Sequence, residues 1–109
     1  MAKYLITASY TSQGTRGLLG EGGSNRKAVL QKALESVGGR LDAMYYMYGD
    51  DDVMLIADVP DAASGLALSL AANASGTVRV KTTPLITVEE VDAACKKTVK
   101  YQGAGAVAV

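Results

Sequence analysis

The sequence contains no histidine, no tryptophan and no phenylalanine, and its only cysteine is Cys95. The absence of histidine excludes Ser-His-Asp and Cys-His catalysis, histidine metal sites and histidine-ligated haem. A single cysteine excludes a disulfide within the chain and favours a reducing compartment, so we expect a cytoplasmic protein. No apolar run approaches the length of a membrane span, and residues 1–10 are too polar for a signal peptide.

The chain also lacks an excess of charge of either sign. Eleven basic and eleven acidic residues give a net charge of zero, which argues against a nucleic-acid surface and against binding to an anionic membrane. Apolar residues make up 49% of the 109 residues, enough for the core of one compact domain. We expect that domain over residues 1–100 and a flexible glycine-, alanine- and valine-rich tail over residues 101–109.

Hydrophobic periodicity predicts the elements of the fold. Four strands are expected, at Lys3–Tyr10, Arg40–Tyr48, Val53–Val59 and Thr77–Thr83. Three helices are expected, from Ser24 to a stop at Gly38, over Ala62–Ala74, and from a capping box at Thr87 and Glu90 to about Val99. Residues 11–23 hold five of the twelve glycines and are predicted to form a loop.

The order β-α-β-β-α-β with a further C-terminal helix predicts an α+β fold of the ferredoxin-like type. Helices are expected on one face of an antiparallel sheet with strand order 4-1-3-2, in which strands 1 and 3 run parallel at the centre. The C-terminal ends of those two strands then share an edge, which would gather Tyr10, Arg16, Asp58 and Arg79. Such a group suits a small polar or anionic ligand, and the alternative is a solvent-exposed ion pair.

The uncovered face of the sheet is predicted to be apolar. Met44, Tyr46, Met54 and Ile56 are expected there, opposite the face covered by helices. Because contiguous exposed apolar surface usually marks an interface, we expect a homo-oligomer through this face, with a twofold dimer as its simplest form.

Other features have an ordinary structural interpretation. The aspartates Asp50–Asp52 suit a turn better than a cation site, and no metal or cofactor is expected. The glycine-rich segment Gly14–Gly23, with Arg16, Arg26 and Lys27 nearby, is interpreted either as a flexible loop or as an anion site. Cys95 falls on the apolar stripe of the last helix and is predicted to be a buried, inert thiol.

Five short segments in order resemble the GYD-domain family. They are Thr11–Gly14, Val37–Arg40, Tyr46–Val53, Ala57–Asp61 and Gly76–Arg79. The family's hairpin usually reads glycine, any residue, tyrosine, aspartate. Gly49 and Asp52 match this pattern, whereas Asp51 stands in place of the tyrosine. The resemblance implies a fold of the dimeric α+β-barrel type and no particular activity.

Three functional hypotheses remain open. The first is a small homo-oligomeric ligand-binding or assembly module. The second is a cofactor-independent oxygenase or isomerase with a pocket at the C-terminal end of strand 1, an analogy with similar folds in which Asp58 acts as base while Tyr10 and Arg79 stabilise an enolate. The third makes residues 102–109 a docking peptide for another protein or subunit.

Overall fold

A computed structural model of the protein describes residues 1–105. The elements are, in chain order, β1 (Ala2–Tyr10), α1 (Ser12–Glu21), α2 (Gly23–Ser36), β2 (Arg40–Tyr46), β3 (Val53–Val59), α3 (Ala62–Ala74), β4 (Val78–Leu85) and α4 (Val88–Cys95). The four strands form one sheet in the order β2-β3-β1-β4. This is the predicted order seen from the opposite edge, so the ferredoxin-like α+β fold is confirmed.

The two central strands, however, run antiparallel rather than parallel. Lys3 pairs with Asp58, and Ala8 at the other end of β1 pairs with Val53. The prediction of parallel central strands is wrong because α1 and α2 carry the chain back so that β1 and β2 run in the same direction, and β3 reverses after β2 and is therefore antiparallel to both. The end of β3 consequently lies beside the start of β1.

The core lies between the inner face of the sheet and the helices. Alternate residues of β1 face the helices, and they are Tyr4, Ile6, Ala8 and Tyr10. Leu34 of α2 packs in one core cluster with Ala57 and Val59 of β3, all of them buried. Burial of these apolar side chains stabilises the fold because it removes their surface from water.

The glycine-rich segment is a helix, so the prediction of a loop over residues 11–23 is wrong. Thr11 caps α1 with its hydroxyl, which accepts a hydrogen bond from the Gly14 amide at 3.2 Å. The Thr11 amide donates to the Thr77 carbonyl at 2.9 Å, which ties the start of α1 to the start of β4. Gly22, with φ of 82°, ends α1 and allows α2 to begin at Gly23.

A bulge in β2 changes which of its side chains face the helices. The register shifts between Leu41 and Ala43, after which Met44 pairs with Leu55. Since cross-strand partners lie on the same face, Met44 joins the core cluster that contains Leu55. Tyr45, which is 65% exposed, takes the place on the open face.

The remaining predicted elements agree closely with the structure. Strand β3 and helix α3 have the predicted bounds, and the capping box of Thr87 and Glu90 is present at the start of α4. Strand β4 continues through Pro84, which an edge strand tolerates. No helix among residues 1–105 is long and apolar enough to cross a membrane.

The C-terminal helix departs from the prediction in length and in burial. It ends at Cys95 rather than near Val99. Every residue from 86 to 105 is exposed, so the prediction of a buried Cys95 is wrong. The segment extends from the sheet, and the molecule measures 64 Å along its longest axis. Of the predicted tail, residues 101–105 are exposed and residues 106–109 lie outside the described part of the chain.

Candidate functional site

A cavity of about 370 Å³ separates the inner face of the sheet from α1, α2 and α3. Its walls are mainly apolar, and those contributed by the sheet are Ile6, Ala8, Val53, Leu55, Val78 and Val80. Leu30 of α2 and Leu68 of α3 also line it. The volume lies in the range of sites for small molecules, which run from about 300 to 1,000 Å³.

Small residues on the three helices explain why this space is not filled. Gly14 and Gly17 line it from α1, Ala33 from α2, and Ala71 and Ala72 from α3. Close packing at the interior of a domain normally requires larger side chains at such positions. The small side chains at Gly17, Ala33, Ala71 and Ala72 leave this space open, whereas Gly14 is required by the close approach of α1 to the Thr77 backbone.

One end of the cavity is polar. Glu21, the last residue of α1, and Arg26, in the first turns of α2, both line it. The Arg26 Nη1 atom lies 3.3 Å from Glu21 Oε1. That oxygen has no solvent-accessible surface, yet it accepts no hydrogen bond from any residue of the described chain. The ion pair with Arg26 offsets part of the cost of burying this acceptor, and a donor group at this position would complete its hydrogen bonding.

Tyr10 closes the same end from the sheet. Its amide donates to Asp52 Oδ2 at 2.7 Å, which fixes the end of β1. Burial raises the pKa of the Tyr10 phenol, and the neighbouring Tyr46, Asp52 and Glu21 raise it further, while Arg26 opposes them. Tyr10 is therefore a neutral hydrogen-bond donor at physiological pH.

A smaller cleft of about 250 Å³ lies on the other side of Tyr10. Tyr46 lines it, and its hydroxyl donates to the Gly23 carbonyl at 3.1 Å. Burial raises the pKa of the Tyr46 phenol. Tyr10 and Leu18 line both spaces and so form the partition between them.

The predicted ligand residues do not form one site. Tyr10 lines the cavity, whereas Arg16 is exposed on α1 and is absent from the cavity wall. Arg79 pairs with Ser9, and because Ser9 and Tyr10 point to opposite faces, Arg79 lies on the open face. Asp58 pairs with Lys3, seven residues from Tyr10 along β1, or about 24 Å away. The catalytic set of Asp58, Tyr10 and Arg79 is therefore not assembled within the chain.

Asp58 belongs to an ionic cluster with Lys3, Arg40 and Asp42. It lies 3.2 Å from Lys3 Nζ and 3.0 Å from Arg40 Nη2, and it is only 7% exposed. Lys3 also pairs with Asp42, and this contact lowers the pKa of the Asp42 carboxyl and raises the pKa of the Lys3 amine. Arg40 contacts Asp42 at 3.2 Å. The cluster joins the three strands at one end of the open face.

The aspartates of the β2–β3 turn are used in structural contacts. Asp51, which replaces the family's tyrosine, accepts a hydrogen bond from the Ser9 hydroxyl at 3.2 Å and pairs with Lys81 at 3.3 Å. Asp52 accepts from the Tyr10 amide, as described above. Within residues 1–105, no group of three or more acidic or cysteine side chains is arranged to hold a metal ion.

Of the predicted interface residues, Met54 and Ile56 lie on the open face, while Met44 and Tyr46 do not. Met54 pairs with Tyr45 and Thr7, and Ile56 with Ala43 and Leu5. The bulge at Leu41 and Ala43 turns Met44 and Tyr46 to the side of the helices. The predicted set is thus wrong for those two residues, and Tyr45 replaces them.

Sequence reasoning missed Gly17 and Glu21 because residues 11–23 were predicted to form a loop, although Arg26 was named beside a possible anion site in that segment. Glycines at positions 14, 17 and 20 recur every three residues, a spacing that places them near one face of a helix. This recurrence of glycine is the sequence signal that could have identified the helix α1.

Comparison with known proteins agrees with this architecture. The GYD-domain family model matches residues 4–95. The crystal structure of MtbAldR has a similar fold, with a TM-score of 0.56 and 21% sequence identity over 79% of this chain and 52% of that one. This chain thus spans about half the length of that protein, and the likeness concerns the fold alone. No curated protein matches the sequence. Because the family model covers most of its length, the chain belongs to the GYD-domain family.

Proposed function

We propose that the chain is a homo-oligomeric module that binds a small molecule in the cavity between the sheet and the helices. The observation that carries this proposal is the mainly apolar cavity of about 370 Å³ with a single charged pair, Arg26 and Glu21, at one end. A few polar groups converging on an apolar cavity are typical of ligand sites.

The walls define the chemistry of the ligand. An apolar body would fill the space between Leu30, Leu55 and Leu68 and release water from it. At the polar end, Arg26 suits an anionic group, whereas Glu21 Oε1 and the neutral Tyr10 phenol suit a hydroxyl or an amine. The ligand class is therefore an apolar, ring-sized molecule with one polar or anionic end.

Assembly is proposed to use the open face of the sheet. Tyr45, Met54, Ile56 and Leu5 place apolar surface at its centre. The cluster around Asp58 lies at one end of the face, and the Asp51–Lys81 pair lies at the other. An apolar centre with charged ends is the usual composition of a protein interface, and a twofold axis would make the face self-complementary.

The binding proposal is tested with the probe 1-anilinonaphthalene-8-sulfonate, which has an apolar body and one anionic group. Gly17 and Gly20 both lie on α1 with open space where a side chain would begin, but only Gly17 lines the cavity. Gly17→Leu is expected to weaken probe binding about tenfold or more, while Gly20→Leu, the matched control, leaves it within about twofold. Equal affinity in the two variants would contradict the proposal.

Assembly is tested separately by native mass spectrometry. Ile56→Glu places a charge on the open face and is expected to lower the mass of the oligomer. Val29→Glu, on the helix layer, is the control and leaves the mass unchanged, since Val29 is already 45% exposed. A wild-type protein that is monomeric throughout the concentration range contradicts this part of the proposal.

A further inference from the structure

The charges on the wall of the cavity balance each other. Among the described residues that line it, Glu21 and Arg26 alone are charged, and their charges are of opposite sign. Their side chains are 34% and 30% exposed, so each is partly withdrawn from water. Tyr10 at the same end is neutral, because burial raises the pKa of its phenol. A ligand group at this end therefore meets one negative charge, one positive charge and one neutral donor.

The two charged side chains attract each other without a hydrogen bond between them. Arg26 Nη1 lies 3.3 Å from Glu21 Oε1, yet within residues 1–105 no N–H group donates a hydrogen bond to that oxygen. Ser69 and Ser75, which also line the cavity, are by contrast hydrogen-bonded within the chain, at 2.7 and 2.6 Å. The polar end thus offers a ligand both guanidinium donors and a carboxylate acceptor.

We propose that the cavity selects a ligand whose polar end is neutral and carries a hydrogen-bond donor beside an acceptor, as a carboxamide does. This selection rests on the proposed function, which leaves a polar and an anionic end open. The carbonyl oxygen of such a group accepts from the Arg26 guanidinium, and its N–H group donates to the Glu21 carboxylate.

Charge disfavours the other possible ends. A ligand carboxylate would pair with Arg26, but it has the same charge as the Glu21 carboxylate and offers it no donor. An ammonium group has the reverse conflict, with Arg26. A zwitterion matches both charges, but it loses the hydration of two ions on entering an apolar cavity, which a carboxamide does not. An anionic ligand therefore still binds through its apolar body, but more weakly than its neutral counterpart.

Two naphthalene compounds of nearly the same size test this selectivity: 1-naphthaleneacetamide is neutral, and 1-naphthaleneacetate is an anion at neutral pH. Isothermal titration calorimetry of the wild-type protein is expected to give a dissociation constant about fivefold lower for the amide. Glu21→Gln should reverse the preference, because the charge of Arg26 is then unopposed. Glu35→Gln removes the same charge at an exposed position of α2 outside the cavity wall, and it should keep the wild-type preference.

Arg26→Gln is the second variant and changes the charge in the other direction. It should widen the preference for the amide, because the charge of Glu21 is then unopposed. Circular dichroism verifies the fold of both variants.

The outcomes separate this selectivity from the proposed function on which it rests. If Gly17→Leu weakens the binding of both compounds but the wild-type protein prefers the acetate, or Glu21→Gln keeps the wild-type preference, the selectivity is overturned and the cavity remains a binding site. Tighter binding of the zwitterion 3-(1-naphthyl)alanine than of the amide would also overturn it. If neither naphthalene compound binds, the proposed function itself is contradicted.

Discussion

Gly14 of α1 lies against the backbone of Thr77, at the start of β4, so closely that a methyl group at position 14 would overlap the Thr77 carbonyl oxygen. The same carbonyl accepts the Thr11 amide at 2.9 Å. The glycine thus lets α1 settle onto the edge of the sheet and form one wall of the cavity. This close approach is the physical reason why a helix here contains glycine at position 14.

Gly14→Ala is expected to lower the free energy of unfolding by about 2 kcal/mol, because the added methyl group must push α1 away from Thr77. Gly17→Ala, three residues along the same helix, meets no neighbouring atom. It should raise the free energy of unfolding by about 0.5–1 kcal/mol through helix propensity. Urea denaturation of the two variants measures both changes, and equal stability of the two would contradict the tight contact at position 14.

Asp58→Asn is expected to lower the free energy of unfolding by about 1–2 kcal/mol, because the two bases at 3.0 and 3.2 Å lose a charged partner. The loss should be smaller at high salt, where the remaining charges are screened. Asp50→Asn is the control, since that side chain is exposed in the turn. Urea denaturation at low and at high salt measures this difference. If the loss of unfolding free energy is the same at both salt concentrations, packing rather than charge holds Asp58 in place.

The N-cap of α3 is expected to make stability depend on acid pH. The Ser64 amide donates to Asp61 Oδ1 at 2.7 Å, and this bond holds the pKa of the Asp61 carboxyl below its ordinary value. A depressed carboxyl pKa stabilises the fold above the unfolded-state pKa of about 4, and the contribution is lost as pH falls through the folded-state pKa.

Asp61→Ala should therefore lower the Tm by about 4–8 °C at neutral pH. Asp61→Asn keeps an acceptor without a titrating group, so its Tm should fall less steeply than that of the wild type below pH of about 4. Thermal melts across pH test this, and parallel curves for the Asn variant and the wild type would refute the role of the charge.

Tyr10 is expected to lose its proton at a higher pH than an ordinary tyrosine, because burial raises its pKa. The raised pKa stabilises the fold below about pH 10, and that contribution is lost as pH rises through the folded-state value. Tyr10→Phe should reduce the late component of the phenolate absorbance titration, to which Tyr46 also contributes, and bound probe should delay the Tyr10 part of that component further. Tyr48→Phe, at a fully exposed position, serves as the control for loss of one tyrosine. An unchanged late component in Tyr10→Phe would contradict the assignment.

Much of the fold follows from local sequence signals. The apolar run of Val53–Val59, with an aspartate turn before it and Pro60 after it, gives β3 its observed bounds. Asp61 and Gly76 likewise mark the two ends of the α3 region. In both places the local chemistry and the tertiary packing favour the same conformation, so hydrophobic periodicity was sufficient to predict the bounds of the element.

The failures have tertiary causes. The bulge in β2 adds one residue between Leu41 and Ala43, and strict alternation therefore places Met44 and Tyr46 on the wrong face. The helix α1 depends on the contact between Gly14 and Thr77, 63 residues apart in sequence. Both errors also affect the prediction of the candidate site, because Glu21 is the last residue of α1 and Tyr46 lines the cleft beside Tyr10.

We propose above all that the cavity between sheet and helices binds an apolar molecule with one polar end. Amide chemical shifts of the isotope-labelled wild-type protein, recorded during titration with 1-anilinonaphthalene-8-sulfonate, test it most directly. The largest shifts are expected around Ala33 and Ala72, which line the cavity from α2 and α3. Shifts concentrated at Met54 and Ile56 on the open face, or at the exposed Leu66 of α3, would contradict it.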